Sequence, residues 1–245
     1  MQNQPLVSVN ITTYNRASSL SRCLDSVLKQ DYQNIEVIIV DDCSSDNTNE
    51  VAKKYLEKNS KIKYFKHEKN KGNAFARNTA LNNCSGFYIA FMDDDDEWID
   101  NSKIKKQVEI FESTKDDNLA IICSGVRIFR STTEYKDMII QRPKNLISLM
   151  LKGNVIFNST VMTKKNIMTK IGGFDTNLSR GIDSDYCRRC VVSFNHDVYF
   201  MKDITTGVHI YGKDRITNID NLNDIYIAFN TFRITISKFW FKILL

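Results

Sequence analysis

Four apolar runs of strand length, Leu6–Ile11, Ile35–Val40, Ile62–Phe65 and Phe87–Met92, recur along the first part of the chain. They start roughly 25–30 residues apart, the length of a strand plus a helix that returns to lay the next strand parallel to it. The segments between them carry helical spacing. Leu20, Cys23, Leu24, Val27 and Leu28 fall three and four apart and make one apolar stripe. Asp46 can cap a second helix bearing Val51, Ala52, Tyr55 and Leu56, and Asn73 precedes a third with Ala74, Phe75, Ala76, Ala80 and Leu81. The strands are almost continuously apolar, as strands buried on both faces are. Such an alternation predicts an α/β fold with a parallel, doubly wound sheet.

After residue 100 the pattern loosens. A helix is expected over 102–113, followed by the apolar Ala120–Cys123 and a strand-like Gly125–Phe129. Residues 131–145 read as a polar loop, Leu146–Leu151 as a short helix and Val155–Met162 as an extended piece. Gly172, Gly173 and Phe174 mark a turn before a helix over 183–193, with Val198–Met201 beyond it. The 34 Lys and Arg against 29 Asp and Glu leave a net charge of +5 with the signs mixed, which argues against a nucleic-acid partner. The six cysteines are scattered, as reduced thiols in a cytoplasmic protein are. Cys187 and Cys190 form a C-x-x-C, but no second close Cys/His pair exists to complete a zinc site, so they read as helix-packing thiols. No secretory leader is visible, and no apolar run reaches the roughly eighteen residues that a spanning helix needs.

The polar residues concentrate where three of the strands end. Thr12-Thr13-Tyr14-Asn15-Arg16 follows the first, Asp41-Asp42-Cys43-Ser44-Ser45-Asp46 the second, and Asp93-Asp94-Asp95-Asp96 the fourth. In open parallel sheets ligands bind beyond these carboxyl ends. Consecutive carboxylates repel one another unless a cation or solvent relieves them. Hard divalent ions such as Mg²⁺ and Mn²⁺ take oxygen ligands of this kind and complete their shells with phosphate oxygens. A metal-bridged diphosphate is the natural occupant; a solvated acidic turn is the plainer alternative. The chain has no G-x-x-x-x-G-K-[ST], no G-x-G-x-x-G and no G-x-S-x-G. His67, His196 and His209 are too dispersed to suggest a metal cage.

With these motifs in view, VSVNITTYNRASSLSRCLDSVLKQDYQNIEVIIVDDCSSDNT resembles the opening block of the family-2 glycosyltransferases of GT-A fold. NKGNAFARNTALNNCSGFYIAFMDDDDEW is similar to the second block, which ends in D-x-D, and GGFDTNLSRGIDSDYCRR to the third. The likeness is dense over residues 6–112 and looser over 153–192. It implies a Rossmann-like, mostly parallel central sheet flanked by helices. Residues 1–100 would form the nucleotide-sugar-binding half, 101–220 the acceptor-binding and catalytic half, and 221–245 an amphipathic C-terminal segment. The resemblance assigns Thr12, Tyr14, Arg16, Asp41 and Asp42 to the nucleotide, with Arg77 and Asn78 facing it. Asp93 and Asp95 would be the D-x-D pair, Asp95 ligating Mn²⁺ or Mg²⁺ and Asp93 serving ribose or metal. With four Asp in a row, a slip to Asp94 and Asp96 stays open, and Asp94 belongs among the nucleotide contacts. Trp98 would pack the base of this loop. In the third block Asp183 matches the family's catalytic base, and Asp185 would orient the acceptor. Ile182 stands where the family has Glu. His209, in VHIYGKDRIT, would touch the diphosphate or its metal.

Residues 226–245 place Phe229, Phe232, Ile236, Phe239, Trp240 and Ile243 at helical spacing among Arg233, Lys238 and Lys242. A basic amphipathic helix of this kind suits peripheral contact with the inner face of the cytoplasmic membrane, a homodimer contact, or docking on the chain's own core. Together these features imply an inverting, metal-dependent transfer of a hexosyl or N-acetylhexosaminyl group from a UDP-sugar to a hydroxyl of a glycan or lipid-linked glycan. Two alternatives remain. The departure at Ile182 would suit a sugar-nucleotide-binding protein without turnover. A sugar-phosphate nucleotidyltransferase would usually carry a glycine-rich basic loop after the first strand, which TTYNRASS lacks.

Overall fold

A computed structural model describes residues 4–114, 116–152 and 156–211. The amphipathic segment 226–245 lies outside the described residues. The first part alternates as expected: β1 (Val7–Thr13), α1 (Ala17–Leu28), β2 (Ile35–Asp41), α2 (Thr48–Lys58), β3 (Ile62–Lys66), α3 (Asn73–Asn82) and β4 (Tyr88–Asp93). There follow β5 (Glu97–Trp98), α4 (Lys103–Thr114), β6 (Leu119–Phe129), β7 (Tyr135–Met138), α5 (Leu146–Lys152), a 3₁₀ turn at Asn158–Thr160 and β8 (Met162–Lys164). Last come α6 (Lys165–Ile171), α7 (Ile182–Arg188) with a π-helical extension at Arg189–Ser193, and β9 (Asp197–His209).

One sheet runs β3-β2-β1-β4-β8-β6-β9-β5, with β7 paired to β6. The long pairings β1–β2, β2–β3, β1–β4 and β6–β9 are parallel; the short ones made by β5, β7 and β8 are antiparallel. The alternation of side chains across each strand explains the double winding. Val7, Val9, Ile11, Val37 and Ile39 pack on one face with Leu20, Leu24 and Val27 of α1 and with Ile104, Val108 and Phe111 of α4. Ile38 and Val40 face the other way, onto Ala76 and Ala80 of α3. A further cluster joins Phe91 and Ile121 to Phe174, Ile182, Tyr186 and Cys187 beneath α5–α7. Register then aligns the polar strand ends, pairing Thr13 with Asp41 and Thr12 with Asp93.

The second half departs from the sequence reading in four places. Residues 135–138, expected in a loop, form β7, an edge strand whose side chains are mostly exposed and so show no apolar alternation. The extended piece expected at 155–162 holds the 3₁₀ turn, with the strand itself only at Met162–Lys164. Helix α6 had no counterpart in the pattern. Strand β9 extends well past Val198–Met201 to His209, because its later part is built from Thr205, Thr206 and Gly207. Thr205 and Thr206 are fully buried, with hydroxyls satisfied by Ser124 and the Ser159 carbonyl. Cys187 and Cys190 are free and buried in the helical packing. No helix among the described residues is long and apolar enough to cross a membrane.

Candidate active site

A cavity of about 660 Å³ opens beyond the carboxyl ends of β1, β2 and β4. It gathers Thr12, Tyr14, Arg16, Asp42, Arg77, Asp93, Asp94, Asp95, Asp183 and His209 from six separate stretches of chain. Asp41 and Asp185, also expected in the site, do not line it.

The acidic loop forms its floor. The side chains of Asp93 and Asp95 are 34% and 39% exposed, whereas that of Asp94 is 12% exposed and Asp96 is buried. All four acids line the cavity, Asp94 and Asp96 as the more buried pair and Asp93 and Asp95 as the more exposed one. Ser159 Oγ donates to Asp96 at 2.5 Å and accepts from the Asp93 N–H at 3.0 Å. Trp98 is buried behind the loop, its indole N–H donating to the Ser159 carbonyl at 2.8 Å. Burial pushes the Asp94 carboxyl up to about 8, with the neighbouring Asp95 charge adding to it. Burial and then the Asp93 charge raise Asp95 and Asp96 as well. Arg16 offers partial relief, 3.8 Å from Asp94 and 3.9 Å from Asp95. A loop so short of positive charge, with two carboxylates at the opening, fits a hard divalent cation. Among the described residues no three His, Cys, Asp or Glu side chains converge to cage one. An ion at Asp93 and Asp95 would draw the rest of its shell from water or a ligand.

At the end of β2 the two adjacent acids part ways. Asp42 accepts from His67 Nδ1 at 2.7 Å, from the Lys71 N–H at 2.9 Å and from the Gly72 N–H at 2.7 Å. A carboxylate offers about four acceptor positions, so one remains for a ligand N–H. Asp41 is fully buried, accepting from the Ser44 N–H and the Tyr64 hydroxyl, each at 2.7 Å. Consecutive residues of a strand point to opposite faces, and Asp41 falls on the inner one. The structure places Asp41 outside the cavity where the nucleotide was expected to meet it.

The A-R-N segment divides in the same way. Arg77 lines the cavity and donates through Nη2 to Asp93 at 2.9 Å, while its Nη1 is buried without a partner among the described residues. Asn158 donates to the same Asp93 oxygen at 2.7 Å. Asn78 does not face the cavity. Its amide donates to the Phe174 carbonyl at 2.8 Å and accepts from the Phe174 N–H at 2.9 Å, clipping the Gly-Gly-Phe turn to α3.

That turn delivers α7. Ile182 is buried in the core cluster beneath α5–α7, which anchors the helix start and gives this apolar residue a packing role. Asp183 faces the cavity. Burial raises its carboxyl, with Arg77 pulling it down and Asp93 pushing it up. Asp185 is buried beneath it and pairs with Arg189 at 2.7 Å, and Arg189 also donates to the Ile171 and Gly173 carbonyls. The structure thus places Asp185 outside the cavity, where it braces the turn through Arg189. His209 ends β9 at the cavity wall rather than in a loop. Its Nε2 pairs with Glu97 at 2.9 Å and its Nδ1 with the Tyr211 hydroxyl at 3.2 Å, so neither ring nitrogen is turned to a metal as expected. Asn70, Asn73, Asn158 and Arg180 are among the cavity residues that sequence reasoning missed, with Ser159 supporting the acidic loop from behind. Asn158 and Ser159 come from a 3₁₀ turn more than 60 residues beyond the acids they hold.

Residues 8–172 match the sequence model of Glycosyl transferase family 2. The chain is 45% identical over 105 residues to WfgD of Escherichia coli, a UDP-Glc:α-D-GlcNAc-diphosphoundecaprenol β-1,3-glucosyltransferase, covering 43% of this chain and 40% of that one. Among solved structures it is similar to residues 1–349 of Staphylococcus aureus TarS in complex with UDP-GlcNAc, with a TM-score of 0.72 and 19% identity over 94% of this chain and 66% of that one. A mannosyltransferase of Pyrobaculum calidifontis in complex with GDP-Man and Mn²⁺ gives a TM-score of 0.66 at 19% identity, covering 88% and 59%. The chain thus spans less than half of WfgD and 14% of the glycosyltransferase GlyA of Streptococcus pneumoniae.

Proposed function

The chain belongs to glycosyl transferase family 2, and on that footing we propose that it moves a sugar from a UDP-sugar to a hydroxyl of a glycan or lipid-linked glycan, with inversion. The observation that carries this reading is the meeting of Asp183 and the acidic loop in one cavity, with Arg77 held between them. The name of WfgD supports the choice of a uridine donor and a lipid-linked acceptor.

On the donor side, Tyr14 is half-exposed at the rim, where its ring can stack on a base, and the spare acceptor position of Asp42 suits a base N–H. Asp93, fixed by Arg77 and Asn158, can accept from a ribose hydroxyl. The unpartnered Nη1 of Arg77 is a donor for a ligand oxygen. Asp95 and Asp93 would hold Mn²⁺ or Mg²⁺; the bound ion would offset charge on the departing diphosphate. Mn²⁺ in the GDP-Man complex of the P. calidifontis mannosyltransferase supports the use of a divalent ion.

On the acceptor side, Asp183 is the base. As the acceptor oxygen attacks the anomeric carbon, its proton passes to the Asp183 carboxylate and the carbon–oxygen bond to the diphosphate breaks with its electron pair. A carboxyl raised by burial suits this task, because a base works best when its pKa approaches the working pH. Residues 226–245 would bring the enzyme to the inner face of the cytoplasmic membrane or pair two copies. A panel of UDP- and GDP-sugars with Mn²⁺ tests the reading through protection against heating and release of nucleotide. One UDP-sugar is expected to give both effects; no protection by any nucleotide would overturn it.

A further inference from the structure

Beside the donor cavity stands a row of rings that the donor site leaves unused. Register pairs His209 with Phe129 and Phe129 with Tyr135, so the three side chains share one face of the sheet across β9, β6 and β7. The imidazole stacks on Phe129 with centroids 4.8 Å apart and planes 11° from parallel, and Tyr135 meets Phe129 edge-on at 5.9 Å. Gly207 leaves room for Phe129, since a Cβ there would come within 2.9 Å of its ring. Tyr135 is 52% exposed. Polar groups surround the rings. The Arg127 guanidinium lies over one face of the Tyr135 ring, 4.3 Å from its centroid, and is paired with both Asp137 oxygens, at 2.8 and 3.0 Å. Glu97 holds His209, which itself lines the cavity, so the ledge begins where the cavity wall ends.

We propose that this ledge binds the acceptor glycan, a pyranose ring packed on the exposed Tyr135 with the next sugar against the edge of the His209–Phe129 stack. The inference rests on the transferase reading above and extends it to the acceptor. A pyranose presents C–H groups on its faces and hydroxyls around its edge. An aromatic surface bordered by charged hydrogen-bonding groups matches both, whereas a lipid tail would match only the rings. Neighbouring strands lie about 4.8 Å apart, so the row from His209 to Tyr135 spans roughly 10 Å, room for about two sugar units.

The test titrates the full chain with maltotriose, cellotriose and chitotriose and their monosaccharides, read by saturation-transfer NMR. UDP with Mn²⁺ is titrated separately by calorimetry. At least one trisaccharide is expected to bind tighter than its monosaccharide. Tyr135→Ala should weaken it about threefold to tenfold, Tyr135→Phe should preserve it, and UDP affinity should not move in either variant. A chain that binds UDP but none of the three, or whose trisaccharide affinity survives Tyr135→Ala, overturns the ledge and leaves the transferase reading standing. Failure to bind UDP would remove that reading, and the ledge proposal with it. If sedimentation shows a dimer that Tyr135→Ala dissolves, the face is a contact between copies and the proposal falls.

Discussion

Replacing Gly173 with alanine should cost far more than the same change one residue earlier, and the structure says by how much. Both glycines lie in the left-handed region, at φ +90° for Gly172 and +67° for Gly173. An L side chain there costs about 1 kcal/mol. A Cβ on Gly172 meets nothing within 4 Å, so the conformational cost is all that Gly172→Ala should show. A Cβ on Gly173 would stand 2.6 Å from Asn78 Oδ1, the atom that accepts from the Phe174 N–H. Relief requires the amide to withdraw, and with it the bond to the Phe174 carbonyl. Losing that two-point clip adds about 1–3 kcal/mol, for a total of about 2–4 kcal/mol. With a urea slope of about 3 kcal/mol per M, the unfolding midpoint should fall by roughly 1 M for Gly173→Ala and roughly 0.3 M for Gly172→Ala. In an Asn78→Ala background the clip is already gone, and Gly173→Ala should shrink to the smaller value. Equal shifts for the two glycines, or a Gly173 penalty untouched by Asn78→Ala, would refute the clip.

Two further outcomes concern the acidic loop. Asp94, Asp95, Asp96 and Asp183 all have carboxyls raised above that of an unfolded Asp, which titrates near pH 4. Folding therefore binds protons between about pH 4 and the Asp94 value of about 8, and stability without divalent ions should decline as pH rises through that window. Calorimetry in chelator from pH 5 to 8 should show a falling melting temperature that Mn²⁺ flattens; a level profile in chelator would count against the crowding of charge. In UDP titrations with and without Mn²⁺, Asp95→Asn should lose most of the metal-dependent gain, while Asp94→Asn, whose more buried carboxylate lies near Arg16, should retain it. The reverse pattern would mean that the metal pair is Asp94 and Asp96.

How much of this was legible in the sequence follows from which forces leave a pattern. Strands β1, β2 and β4 are buried on both faces, so their apolar runs stood out, and helix α1 showed its stripe because one side packs on the sheet. The edge strand β7 buries almost nothing, and Glu134, Tyr135, Lys136 and Asp137 read as a loop. The end of β9 is a polar core in which Thr205 and Thr206 pair their hydroxyls, which hydrophobic patterning does not register. In the site, the acids were visible because strand ends concentrate them. Their orientation was not. Asp41 and Asp42 differ only in which side of β2 they leave from, and Asp185 differs from Asp183 only by its place around α7. Asn158 and Ser159 reach the acidic loop through tertiary folding alone, and N-S-T carries no local signal of that.

Whether Asp183 takes the acceptor proton is decided by the turnover of Asp183→Asn at saturating donor. The amide keeps the shape and the place on α7 but cannot accept the proton in exchange for its own charge. Paired calorimetry should find the variant folded and binding UDP with Mn²⁺ at nearly the parent affinity, while transfer falls by about 10²–10⁴, or about 3–5 kcal/mol of barrier. A variant that binds donor normally and transfers sugar within a few-fold of the parent would contradict the account.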